Sequence, residues 1–192
     1  STITIARGLL ALFVGIAVSV SVLLPARADD PLTQHVDSSE QVVHEEATIE
    51  RGHVDLGPKI VDSKPEILAR DDSGETPIWR PLDTLVFRVS DSGKLQVPSD
   101  PSYSFLHEGE SYWVIPQTQN PRVVWLGWNT QDPELIKVMG SGATMTLGNL
   151  QGPGQAWLFL QDGAFGAPTV LYDSSTSSQS DIWVEANTHV HA

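Results

Sequence analysis

Ser111–Pro133 reads SYWVIPQTQNPRVVWLGWNTQDP, and its pattern decides the fold class. Two runs rich in β-branched and aromatic residues, Tyr112-Trp113-Val114-Ile115 and Val123-Val124-Trp125-Leu126-Gly127-Trp128, are bounded by Pro116, Pro121 and Pro133. Proline has no amide donor for a sheet ladder, so each run is confined to strand length. The polar turns between and after them carry Gln117, Thr118, Gln119 and Asn120, then Asn129, Thr130, Gln131 and Asp132. Amides and a carboxylate beside large rings make Gln117, Gln119, Asn120, Trp125, Trp128, Asn129 and Asp132 a candidate ligand surface. The same side chains serve equally as turn residues that satisfy local backbone groups, and the pattern alone favours that plainer use.

The same punctuation runs outward in both directions. His53-Val54-Asp55-Leu56-Gly57 alternates polar and apolar residues, Lys59–Val61 continues it, Asp62-Ser63-Lys64 turns and Glu66–Arg70 returns. Asp91-Ser92-Gly93, flanked by Leu85–Val89 and Leu95–Val97, predicts a second hairpin. Beyond Pro133, the stretches Ala143–Leu147, Gln155–Leu160, Thr169–Tyr172 and Asp181–Glu185 are separated by Gly-Pro or Ser-rich turns. Asp132 as N-cap and Pro133 at the first position predict one short helix reaching Met139. Roughly nine or ten short strands with frequent turns predict an all-β fold, an antiparallel β-sandwich. Trp79, Trp113, Trp125, Trp157 and Trp183 each fall in a strand pattern and are expected mostly in the core.

The 192 residues are 40% hydrophobic, enough for one real core, and 13 prolines with 15 glycines suit short strands better than long helices. A formal net charge of −13 excludes nucleic acid as an expected partner, because phosphate binding needs a basic surface. With no cysteine, disulfides, thiolate metal sites and thiol nucleophiles are excluded.

Three segments are expected. Residues 1–28 read as a secretory signal: Arg7 is the positive start, Leu9–Leu24 an apolar run, and Ala26-Arg27-Ala28 a cleavage site. An uncleaved membrane anchor is the alternative, but the run is short for a span of about 20 residues. Cleavage would remove Arg7 and Arg27, two of 11 basic residues, and take the charge from −13 to −15. Residues 29–47 read as an acidic flexible leader in which His35 and His44 are solvated. Residues 48–192 are the sandwich domain, expected to stop short of one or more closing strands because the chain ends in a strand pattern.

Two pairs have metal-ligand spacing. His189 and His191 are two apart, as are His53 and Asp55, so on strands each pair leaves one face. If the first and last strands are neighbours, three imidazoles and a carboxylate suit a divalent ion such as Zn²⁺ or Mn²⁺. The plainer alternative is an exposed edge with polar alternate residues. Catalysis has little support. There is no G-x-S-x-G, P-loop or dinucleotide fingerprint, and Asp162, which could pair with Asp132 as acid and base, sits in an Asp-Gly turn dipeptide that favours a capping role.

Five stretches in order, GHVDLGP (52–58), WVIPQTQNP (113–121), VWLGWNTQDP (124–133), FLQDGAFGAP (159–168) and NTHVHA (187–192), resemble the actinobacterial surface-anchored domain, or choice-of-anchor M domain. The likeness covers residues 48–192. It implies a secreted, cell-wall- or membrane-attached protein whose partners are components of a metal-type ABC transporter, with no catalytic activity to carry over. The family pattern continues past the second histidine with a further strand. Any attachment would therefore lie in the signal segment or in a C-terminal anchor outside this sequence. The expected function is a cell-surface module that binds a divalent metal or metal complex. The alternative is an adhesion or carbohydrate-binding module using the ring-and-amide stretch 113–132.

Overall fold

The computed structural model describes the backbone of Thr2–Ile5 and residues 34–148, 150–161 and 166–192. The apolar run Leu9–Leu24, the Ala26-Arg27-Ala28 exit and Asp162 lie outside the described residues. Fourteen strands and one α-helix lie within them. The first eight strands are β1 (Thr2–Ile5), β2 (Ala47–Ile49), β3 (Gly52–Val61), β4 (Lys64–Asp71), β5 (Ile78–Pro81), β6 (Leu85–Ser90), β7 (Lys94–Gln96) and β8 (Ser111–Trp113). After β9 (Val124–Asn129) comes α1 (Pro133–Met139), then β10 (Gly142–Gly148), β11 (Trp157–Gln161), β12 (Pro168–Asp173), β13 (Gln179–Glu185) and β14 (His189–His191). The fold is all-β.

Its central element is a five-stranded sheet in the order β14-β9-β3-β4-β5. The β3–β4 hairpin closes on Asp62 and Ser63, both left-handed (φ 47° and 63°), the conformation that a tight two-residue turn requires. α1 starts where expected: the Asp132 side chain accepts from the Leu135 amide, Pro133 fills the first turn, and Gly140 at φ 67° ends the helix. Asp132 does more than cap. It also accepts from the Ile60 amide and from Lys59 Nζ (3.2 Å each), and it is fully buried, so the helix is fastened to β3.

The sheets are mixed rather than purely antiparallel. β3 pairs parallel with β9, and β2 pairs parallel with β6. Strand direction leaves no mark on a period-2 pattern, so alternation predicts a strand without its orientation. More strands form than the expected nine or ten, β1 and β5 among them. The hairpin expected across Asp91-Ser92-Gly93 does not form, because β6 pairs with β1 and β2 while β7 pairs with β8.

The five-stranded sheet has two distinct faces. Val54, Ala69, Val124 and Leu126 point to one side, into a core shared with Leu85, Val89, Trp157, Leu158, Phe159 and Ile182. His53, Asp55, Arg70, Trp79, Gly127, Asn129, His189 and His191 hold the opposite parity. That polar face is covered by residues 34–43, expected as a flexible leader. Val36 is buried there with Leu68 and Trp79, and Val42 bridges to Trp79. Trp79 and Trp157 are core as expected, whereas Trp113 and Trp125 are half-buried and Trp183 is 57% exposed on β13.

Candidate metal centre

Strand register assembles the site. On β9, Gly127 pairs with Asp55 of β3 on one side and His191 of β14 on the other. Two residues along each way, on the same face, Trp125 pairs with His53 and Asn129 with His189. Residues on β3 and β14 are two strands apart, about 9–10 Å, so their side chains must lean over β9 to meet. Gly127 leaves the gap they meet in. A Cβ there would lie 2.6 Å from Asp55 Oδ1 and 2.9 Å from His191 Cε1.

Four predicted ligands converge over that gap: His53, Asp55, His189 and His191 each offer one atom, all within 4.8 Å of one another. His53 Nε2 lies 3.2 Å from His189 Nε2, 3.0 Å from His191 Nε2 and 3.3 Å from Asp55 Oδ1. Asp55 Oδ1 lies 3.1 Å from His189 Nε2 and 4.0 Å from His191 Nε2. The cluster is nearly closed to solvent, with side-chain exposures of 14% for His53, 0% for Asp55, 3% for His189 and 8% for His191.

The outer side of the site sets its electronics. Both oxygens of Asp72 lie 2.8 Å from His53 Nδ1, so Nδ1 carries a proton and donates it to a carboxylate. In the neutral ring this turns a bare Nε2 lone pair toward two other imidazole nitrogens. Arg70 in turn holds Asp72 through Nη1 (3.1 Å) and grips both oxygens of Glu40 at 2.7 and 2.8 Å. Behind Asp55 stands Asn129, whose Nδ2 is 3.4 Å from Oδ2. The ring of Trp125 stacks on His191 at 3.7 Å and 7° and fixes its plane.

Asp55 is a fully buried carboxylate whose charge is felt by Arg70, its cross-strand neighbour. The groups within 4.0 Å of its Oδ1 are the imidazoles of His53, His189 and His191, so these or an ion held among them supply the nearest counter-charge. Without an ion, a proton takes that place. Burial pushes His53 down, but hydrogen bonds to Asp55 and Asp72 and their charges outweigh it and lift it to about 9. Burial likewise pushes Asp55 up, yet hydrogen bonds from His189 and His53 hold it well below the usual carboxylate range. His191 drops to about 4, through burial first, which the attraction of Asp55 does not offset.

The ring-and-amide candidates do not gather at one surface. Gln117 is tied to the backbone of Gln161, accepting at 3.0 Å and donating at 3.3 Å. Asn129 faces Asp55 and also accepts from the Gln131 amide, while Asp132 is the buried helix cap. Trp128 turns to the opposite face beside Leu56 and Leu158. Only Gln119, Asn120 and Trp125 line a common cleft, of about 670 Å³, with Arg51, Ser73 and Arg80. His35 and His44 are exposed, as expected.

Gly127 and Asp72 belong to the site but are absent from the predicted set. Asp72 left a signal: a two-residue turn at Asp62-Ser63 fixes the hairpin register, and counting back along both strands brings Asp72 beside His53. No family model, curated protein or solved structure matches the chain.

Proposed function

We propose that the chain is a noncatalytic surface module that holds one divalent metal ion, Zn²⁺ before Mn²⁺, through His53, Asp55, His189 and His191. One observation carries this: three imidazole nitrogens and one carboxylate oxygen converge with separations of 3.0, 3.1, 3.2, 3.3 and 4.0 Å. A tetrahedron with metal–ligand bonds of ~2.0–2.1 Å has edges of about 3.3–3.4 Å. A single proton bridges two atoms, whereas a cation at the centre satisfies all four. Mn²⁺ takes additional oxygen ligands, and four ligands that are 0–14% exposed leave little space for them. With every tetrahedral position supplied by protein, the centre suits retention of an ion better than catalysis at an open position.

The likeness to the actinobacterial surface-anchored domain supports placing the module outside the cell, in the service of a metal-type ABC uptake system. The glycan alternative is weaker, since three of its seven residues share a cleft and one face of Trp125 is already taken by His191. Elemental analysis of the purified chain should find about one zinc per molecule. Changing His189 and His191 together to Ala should abolish Zn²⁺ binding in calorimetry and leave a β-type circular dichroism spectrum, while His35→Ala and His44→Ala change nothing. An ion-free protein that stays silent on Zn²⁺ titration, or binding that survives the double change, would overturn the proposal.

A further inference from the structure

Among the described residues, one side chain reaches the outer partners of two different ligands at once. Gln34 Nε2 donates to Asp72 Oδ2 at 2.7 Å, behind His53, and Gln34 Oε1 accepts from Asn129 Nδ2 at 2.6 Å, behind Asp55. No strand of the sheet supplies this residue. It is brought in by residues 34–43, which cross the polar face and are fastened at three further points. Val36 is buried against the sheet. Glu40 accepts from Arg70 and from Trp79 Nε1 at 2.8 Å. The backbone then pairs with β5, the Val43 amide to the Trp79 carbonyl and the Trp79 amide to the Gln41 carbonyl, each at 2.8 Å.

We propose that Gln34 is a positioning residue of the metal centre, and that docking of the strap formed by residues 34–43 and occupancy by the ion reinforce each other. The inference rests on the metal-binding proposal above. Its chemistry is that of a two-sided brace. The Gln34 amide donor removes one of the choices open to Asp72, so that carboxylate stays against His53 Nδ1 and keeps His53 Nε2 turned inward. The Gln34 amide oxygen takes one Nδ2 hydrogen of Asn129 and so orients the amide, whose other hydrogen is shared between Gln131 Oε1 at 3.2 Å and Asp55 Oδ2 at 3.4 Å. An ion that fixes His53 and Asp55 from inside fixes Asp72 and Asn129 with them, and these are the two groups that Gln34 holds. Outer partners of metal ligands contribute about 10–100-fold to affinity, and a brace on two of them belongs at the lower end of that range.

The test uses the whole chain. Gln34→Ala should lower Zn²⁺ affinity about tenfold and shift the visible ligand-field bands of the Co²⁺-loaded protein. Gln41→Ala, the same change at an exposed position of the same strap, should do neither. Zn²⁺ should slow hydrogen exchange at the Val43 and Trp79 amides, and Gln34→Ala should remove that slowing. Wild-type affinity and an unchanged Co²⁺ spectrum in Gln34→Ala would overturn the inference while leaving the metal site standing. So would exchange at Val43 and Trp79 that ignores the ion. A wild-type protein that binds no Zn²⁺ would remove both.

Discussion

His53 concentrates the site's chemistry in one ring. Its outer nitrogen is held by Asp72 at 2.8 Å, and its inner nitrogen lies within 3.3 Å of three other ligand atoms. A raised imidazole and an incoming cation compete for the same place, and the sign of the pH dependence follows. In the metal-free protein, protonated His53 stabilises the fold. That contribution is full below the ordinary histidine value of ~6.5 and is lost as pH rises through about 9. Asp55 works the opposite way: its contribution is present above the ordinary carboxylate value of ~3.9 and is lost only as pH falls through its depressed value. Metal binding must expel the His53 proton, whereas His191, at about 4, is already neutral. Zn²⁺ affinity should therefore rise at least about tenfold per pH unit between ~6.5 and ~8.5, with about one proton released per ion. Calorimetry in buffers of different ionisation heat reads that proton directly. An affinity flat across the range would show that His53 does not hold the proton assigned to it.

At the level of strands, the site is a property of three neighbours, β14, β9 and β3, and only part of it was legible beforehand. The H-x-D and H-x-H pairs were visible because period-2 alternation puts each pair on one face whatever the strand order. That β3 and β14 flank the same strand was not visible, since parallel pairing of β3 with β9 depends on contacts far apart in sequence. Gly127 illustrates the difference. In Trp125-Leu126-Gly127-Trp128 it interrupts a hydrophobic run for no local reason, and its purpose emerges only with Asp55 and His191 on either side. Gly127→Ala would place a methyl 2.6 Å from both Asp55 Oδ1 and the Val190 carbonyl. The backbone carbonyl yields little, so overpacking should cost about 1–3 kcal/mol and the ligands should be driven apart. Gly74→Ala, with no atom within 4 Å, should stay within about 0.5 kcal/mol of wild type. Urea denaturation paired with Zn²⁺ titration compares the two, and a Gly127→Ala protein that binds as wild type would mean the gap is not where the ion sits.

Over the whole molecule, composition and punctuation were enough for the all-β class because turn residues act locally, whereas the close fit of residues 34–43 to the sheet was hidden. Acidic, polar and without period, that segment has the composition of a free leader. It is held instead by partners that composition cannot name: Arg70 for Glu40, Asp72 and Asn129 for Gln34. On the secretory reading of residues 1–28 this is consequential. Cleavage after Ala28 would leave five residues ahead of Gln34, so the strap becomes the N-terminal arm of the mature protein. It would also remove β1, which pairs with Phe87–Ser90, and turn that side of β6 into an edge. β6 keeps β2 as its other neighbour, and Leu85 and Val89 remain anchors in the core. A four-residue edge bearing Arg88 is short and charged enough to resist pairing with another chain. The exported protein should therefore begin at Asp29, fold without residues 1–28, and bind Zn²⁺ as the full chain does. N-terminal sequencing of secreted material checks the first point, and calorimetry on the same sample checks the last. An N-terminus at Ser1 or Thr2 would make Thr2–Ile5 a permanent strand and favour an uncleaved anchor over a signal.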